Sequence, residues 1–250
     1  IEIDRSDVDT VKFSSSRVPV GASISRRDVL HLALMSSDNR AAAALARTYP
    51  GGKEGFKTAV RHKIQALGMT QTAIEEPTGL SPRNRSNAGD LVKMAKASTT
   101  YPEIVRMTTE TKDVFDIKGR EVNFHNTNRL VGADGWDIGL SKTGYTSEAG
   151  RCLIMNITAA GKKATLVLLN AGASSARVMD ALNIRRFMTG DEPVSQVVRA
   201  TTGGPRIKAS AGRAKTKASA KARKANTKAS AKAGSKRVKA KVSSTRKRRG

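Results

Sequence analysis

The 250-residue sequence has one cysteine, Cys152, so no internal disulfide can form and no cysteine-built metal site exists. That usage fits a reducing or an oxidising compartment alike. Aromatic residues make up only 4% of the chain and hydrophobic residues 38%, low for a sequence that is globular throughout. No apolar run approaches the ~18 residues that a membrane-crossing helix needs; the stretch Ala164–Leu169 has the length of a buried strand. Residues 201–250 contain no Asp or Glu but hold 18 of the 46 Lys and Arg, which leaves 28 basic against all 21 acidic residues before that point. The net charge of +25 therefore divides into +18 for the last fifty residues and +7 for the rest. The opening Ile1-Glu2-Ile3-Asp4-Arg5 is polar, lacks a starting Met and holds no secretory signal, and it reads as a processed or truncated start.

Patterned sequence fills the first 193 residues. Residues 1–24 are polar with scattered Val and read as loop or weak strand. Ser25, with Asp28 three places on, signals a helix start, and Val29, Leu30, Leu32, Ala33 and Leu34 make that helix apolar enough to be buried. It stops at Ser36-Ser37-Asp38-Asn39, and an Ala-rich helix, Arg40–Arg47, follows at once. Phe56, Val60, Ile64 and Leu67 recur at three- and four-residue steps, which predicts an amphipathic helix over Glu54–Leu67 with Gly68 as its C-terminal cap. Helical pattern returns at Ala88–Ala97 and after Pro102. The period then changes. Val114, Ile117, Val122 and Phe124 suggest short strands; Ile138–Tyr145, Gly150–Ala159 and Lys163–Ala171 read as three more, with Gly161-Lys162 turning between the last two. A helix over Ser175–Met188 closes at Gly190. Helices, then an antiparallel meander, then a helix give an α+β fold with helices packed on a sheet.

Beyond residue 193 the pattern gives way. Residues 194–205 read as a linker and 206–250 as a disordered Lys/Ala-rich basic tail, since the segment has almost nothing to bury. Its charge suits a polyanion, and without aromatics for base stacking it is not expected to read nucleic acid sequence-specifically.

Two short motifs carry chemistry. Ser37-Asp38-Asn39 lies between two predicted helices, and Lys142-Thr143-Gly144 lies near the end of a predicted strand that leads into a hairpin. Alone, the first is an ordinary helix cap and the second a polar strand end. Together, in those settings, they resemble the second and third active-site motifs of the penicillin-binding D-alanyl-D-alanine carboxypeptidase and endopeptidase family. Leu67-Gly68-Met69, Glu76-Pro77-Thr78-Gly79-Leu80-Ser81, His125-Asn126-Thr127-Asn128, Lys142-Thr143-Gly144-Tyr145-Thr146 and Gly150-Arg151-Cys152-Leu153 are similar to the same family, so the likeness spans residues 15–190. It sits nearer the endopeptidase branch, although one pocket serves both reactions and groove shape separates them.

The resemblance implies a β-lactamase/transpeptidase-like fold and acyl transfer through a serine ester on peptidoglycan peptides, with β-lactams acylating the complete enzyme and no cofactor. It implies that Ser37 relays a proton toward the leaving amine and that Asn39 holds a substrate amide carbonyl. Lys142 adds positive charge to the pocket, Thr143 binds the substrate's terminal carboxylate, and Gly144 leaves room along the strand edge. The N–H of Tyr145 is one oxyanion donor. It also implies an exported, periplasmic or envelope-associated protein, whose tail would meet anionic envelope polymers or lipid headgroups.

One part of the family pattern has no match. The attacking serine belongs to a Ser-x-x-Lys turn ahead of Ser37, and none of Ser14, Ser15 and Ser16 is followed by a Lys three places on. The one Ser-x-x-Lys, Ser244-Thr245-Arg246-Lys247, lies in the tail, where a nucleophile cannot be preorganised. The N-terminal strands and the nucleophile helix are therefore expected to be missing, and the fragment by itself to be inactive and not a cooperative domain. A non-catalytic polyanion-binding protein on a degenerate peptidase fold is the alternative. A class A-like β-lactamase is disfavoured, because Glu75 and Glu76 read as plain loop carboxylates. His31, His62 and His125 are spread too widely to suggest a metal site, and Cys152 reads as a buried strand residue.

Overall fold

The computed structural model describes residues 1–193; the linker and basic tail assigned to 194–205 and 206–250 lie outside them. After a 3-10 turn at Arg5–Asp7 come α1 (Arg26–Met35), α2 (Asn39–Arg47), α3 (Gly52–Ala66), α4 (Ala88–Ser98) and α5 (Pro102–Thr109). Strands β1 (Lys112–Asp116) and β2 (Glu121–His125) follow, then β3 (Asp137–Thr146), β4 (Gly150–Ala159) and β5 (Lys162–Ala171), and last α6 (Ser174–Thr189). The α+β order read from the sequence is the order observed.

Local chemistry explains the boundaries. Ser25 Oγ accepts the Asp28 N–H at 3.1 Å and caps α1. The Asp38 carboxylate caps α2 through the Ala41 N–H at 2.9 Å. Asn87 caps α4, and Pro102 opens α5 at a position where its missing N–H costs nothing. Gly68, at φ +62°, lets the Met69 N–H return to Ile64 O and end α3. The apolar stripe of α3 is only half-buried, so this helix is peripheral.

β1 and β2 form a two-stranded antiparallel hairpin, and Ile117, read as strand, is a buried residue of its turn. β3, β4 and β5 form a separate antiparallel sheet with β4 in the centre. Its last hairpin turns at Ala160 (φ +48°) and Gly161 (φ +72°), one position before Gly161-Lys162. Two successive left-handed residues fit the right-handed twist of the strands they join.

The buried apolar residues form two clusters. Val29, Leu32 and Met35 of α1 join Ala41 and Ala44 of α2, Phe115 and Phe124 of the first hairpin, and Ile3, Val18, Ala22 and Ile24 of the first segment. Leu153, Met155, Ile157 and Ala159, alternating along β4, pack with Leu166, Ala181 and Met188 in the second. Cys152 is half-buried rather than buried, because it stands on the opposite face of β4 from that row. The first cluster holds the end of α1; the second holds the sheet. The two sequence motifs therefore come from different cores and meet where these adjoin.

Candidate active site

Ser37 sits in the three-residue junction between α1 and α2. The Asp38 N–H and the Ser36 hydroxyl both donate to Leu32 O, at 3.1 and 2.8 Å, and close α1 abruptly. To enter α2 immediately afterwards, Ser37 takes a left-handed backbone, φ +58°. That conformation costs a non-glycine residue about 1 kcal/mol or more. It is held in place by the Asp38 cap on one side and, on the other, by the Thr127 N–H, which donates to Met35 O at 3.2 Å. Strain fixed this firmly aims a side chain.

The Ser37 hydroxyl is aimed at β3. Lys142 Nζ donates to Ser37 Oγ, across 105 residues of sequence, and to its neighbour's carbonyl, Thr143 O, at 2.9 Å. Among the described residues no carboxylate forms an ion pair with Lys142. The residue as a whole keeps some exposure, but its ammonium is enclosed, and that burial draws its pKa from 10.5 down to about 8. A lysine this close to neutrality at physiological pH can pass a proton to and from a hydroxyl.

Asn39, the first residue of α2, gives one amide hydrogen to Ser14 Oγ at 2.9 Å. Ser16 Oγ donates to the Asp38 carboxylate at 2.7 Å. Thr143 and Thr127 share a hydroxyl hydrogen bond of 2.7 Å. Asn126, Thr127 and Asn128 form a brace: Asn126 Nδ2 binds Thr108 O and Glu110 O at 3.0 and 2.9 Å, and buried Asn128 donates to Ser141 Oγ at 2.9 Å while accepting the Leu130 N–H. This segment thus ties α1, α5 and β3 together around the Ser37–Lys142 contact.

Gly144 and Tyr145 continue β3 past that contact, on an edge of the described sheet, and both are exposed. The fold does not itself need glycine at 144. The φ there is not left-handed, and an added Cβ would meet only Cys152 Cβ, at an ordinary 3.8 Å. The Tyr145 ring, 60% exposed, lies 4.4 Å from the Arg151 guanidinium.

Sequence reasoning missed Ser14, Thr127 as a partner of Thr143, and Arg177. Arg177, on α6, is buried, donates at 3.0 Å to the carbonyl of Cys152, the β4 register partner of Gly144, and has its pKa lowered by burial and by Arg151. These residues lie 16 or 25 positions from their hydrogen-bond partners, and Ser14 and Arg177 belong to no short pattern, so only folding reveals the contacts.

Other expectations concern carboxylates and histidine. Glu76 is committed to its own turn: it accepts the Thr78 and Ser81 N–H groups at 2.7 and 3.1 Å and Asn84 Nδ2 at 2.9 Å. His31 is buried against Phe115, its two ring nitrogens facing different carboxylates, Glu110 at 2.6 Å and Asp113 at 3.3 Å. Glu110 is also paired with Arg106 at 2.5 Å. The three acid–base groups could be pictured around a cation. These contacts tie α1 to the end of α5 and the start of β1.

Comparison with known proteins bears on the whole arrangement. A family model described as D-alanyl-D-alanine carboxypeptidase matches residues 3–173. The D-alanyl-D-alanine endopeptidase of Pseudomonas aeruginosa is 47% identical over 175 residues, 69% of this chain and 56% of the relative. That of Escherichia coli is 43% identical over 190 residues, 75% of this chain and 61% of the relative. The chain thus spans 56% and 61% of the length of these two relatives. Among solved structures, a penicillin-binding protein homologue from Mycobacterium tuberculosis superposes with TM-score 0.63 at 25% identity, over 70% of this chain and 66% of that one. A Streptomyces DD-transpeptidase gives 0.69 at 24%, over 75% and 77%, a likeness of fold. The matched region holds both motifs and the brace between them, and on that ground the chain belongs to the D-alanyl-D-alanine carboxypeptidase family.

Proposed function

We propose that this chain supplies two walls of the substrate cleft of a serine-type D-alanyl-D-alanine peptidase, an enzyme that cuts D-alanyl bonds of peptidoglycan peptides through an acyl-serine. The observation that carries the reading is the hydrogen bond from Lys142 Nζ to Ser37 Oγ, made by an enclosed lysine with no carboxylate partner among the described residues. In this reading Ser37 and Lys142 pass a proton to the leaving amine. The free amide hydrogen of Asn39 holds a substrate carbonyl, and Thr143 receives the terminal carboxylate. The peptide lies along the edge at Gly144, with its scissile carbonyl at the Tyr145 N–H. The higher identity to relatives named endopeptidases than to those named carboxypeptidases, 31–47% against 26–28%, favours the endopeptidase reaction. The commitment of Glu76 to its turn disfavours a β-lactamase, whose acyl-enzyme needs a free deacylating carboxylate.

Such an enzyme works in the cell envelope, with β-lactams as acylating inhibitors. There the +18 charge of residues 201–250 suits anionic envelope polymers or lipid headgroups. Deleting 201–250 should lower salt-sensitive retention on cell-wall sacculi; unchanged retention refutes that part.

The family's attacking serine has no counterpart between Ile1 and Ser37. Residues 1–250 by themselves should form no stable adduct with a labelled penicillin. A chain extended upstream to include a Ser-x-x-Lys should acylate, and Ser37→Ala or Lys142→Ala should slow it by about a hundredfold or more. A stable adduct on residues 1–250, or full acylation by both variants, refutes the assignment.

A further inference from the structure

The loop at residues 9–16 is a built element that the catalytic reading leaves unused. Asp9 organises it from within: its carboxylate accepts the Val11, Lys12 and Ser14 N–H groups at 2.7, 3.1 and 2.7 Å. It is then pinned at three points. Ser14 Oγ takes the Asn39 amide, Ser16 Oγ binds Asp38, and Lys12 pairs with Glu148 in the turn that follows β3. The loop therefore reaches from the α2 wall of the cleft to the far end of the β3 wall.

Between two of those anchors stands Phe13. Its backbone is left-handed, φ +54°, and its side chain is 82% exposed. Val11 beside it is 53% exposed. A bulky residue in a strained backbone, its ring held out in water, brings nothing to the fold. The pinned neighbours nevertheless hold it there.

The direction of the substrate says what passes this ring. A peptide with its terminal carboxylate at Thr143 and its scissile carbonyl at Tyr145 runs antiparallel to β3. Each residue advances about 3.4 Å. The residue preceding the acyl D-alanine therefore falls opposite Thr146, two positions before Glu148, where the loop is tethered.

We propose that residues 9–16 form the wall of the subsite for the residue preceding the acyl D-alanine, with Phe13, extended by Val11, receiving that residue's aliphatic side chain. This rests on the peptidase reading of the same cleft. Ser14, which orients Asn39 without touching substrate, is a positioning residue.

The test measures binding of N-acetyl-norleucyl-D-alanyl-D-alanine and N-acetyl-glycyl-D-alanyl-D-alanine to the full chain by ligand-observed NMR. The native protein should bind the norleucyl peptide about tenfold more tightly, as expected for burying one unbranched aliphatic side chain on a ring. Phe13→Gly, which also relieves the left-handed backbone, should abolish that preference. It should leave the glycyl affinity unchanged and the unfolding midpoint unchanged or raised. Phe13→Leu should keep most of the preference. Equal weakening of both peptides by Phe13→Gly, or an undiminished preference, overturns the subsite while leaving the peptidase reading standing. If the native chain binds neither peptide, the peptidase reading falls and the subsite with it.

Discussion

Replacing Lys142 by Met asks what the buried ammonium costs the fold. Its pKa falls from 10.5 to about 8 on burial, and each unit is worth about 1.4 kcal/mol, so below pH 8 the folded protein carries a penalty of about 3 kcal/mol for holding this charge. Because the folded pKa lies below the unfolded one, the unfolded chain binds more protons between about pH 8 and pH 10.5, and stability rises with pH in that window. Methionine fills similar volume without charge. It forfeits the bonds to Ser37 Oγ and Thr143 O, each worth about 1 kcal/mol. At pH 7 Lys142→Met should therefore be the more stable protein, by about 1 kcal/mol. The advantage should shrink as native Lys142 loses its proton, pass through zero near about pH 9, and reverse by about pH 10. Urea unfolding of both proteins, each extended upstream to include the family's Ser-x-x-Lys segment, at pH 7, 8, 9 and 10 measures this, and other titrating groups cancel in the difference. A difference that does not change with pH, or a Met variant less stable at pH 7, refutes an enclosed, depressed lysine and with it the proton-transfer role.

Other substitutions separate fold from function. Gly144→Ala should leave the urea midpoint unchanged, since the new Cβ meets only Cys152 Cβ at 3.8 Å, yet weaken D-alanyl-D-alanine peptide binding by about tenfold through crowding of the β3 edge. Ser37→Gly should be more stable than Ser37→Ala by about 1 kcal/mol in denaturant titration, because only glycine takes φ +58° without strain; equal stabilities would show that the junction is relaxed. Asn128→Ala should cost roughly 2–3 kcal/mol, as it strands the Leu130 N–H and a buried Ser141 hydroxyl, and a thermal midpoint shift of less than a few degrees would count against the brace.

Much of the fold can be read locally because its causes are local. Ser25, Asp38, Pro102 and Gly68 mark helix ends through bonds spanning a few residues, and the alternation of Leu153, Met155, Ile157 and Ala159 follows from strand geometry alone. The Gly161 turn was legible as a turn but shifted by one place. Nothing in the sequence signals that Ala160 takes φ +48°, which the twist of β4 against β5 imposes.

The sequence by itself determined the helix–meander–helix order and the two motifs, whose residue types suit acyl transfer. Tertiary structure decided the rest. It brings Ser37 onto Lys142 across 105 residues. It shows Ser14 holding Asn39 and Thr127 meeting Thr143. It turns Phe13, an unremarked residue in a polar segment, outward into solvent. The physical reason is the same in each case. Burial of the α1–α2 core and of the β4–α6 core fixes where two surfaces adjoin, and the contacts across that seam depend on packing that no short stretch of sequence encodes.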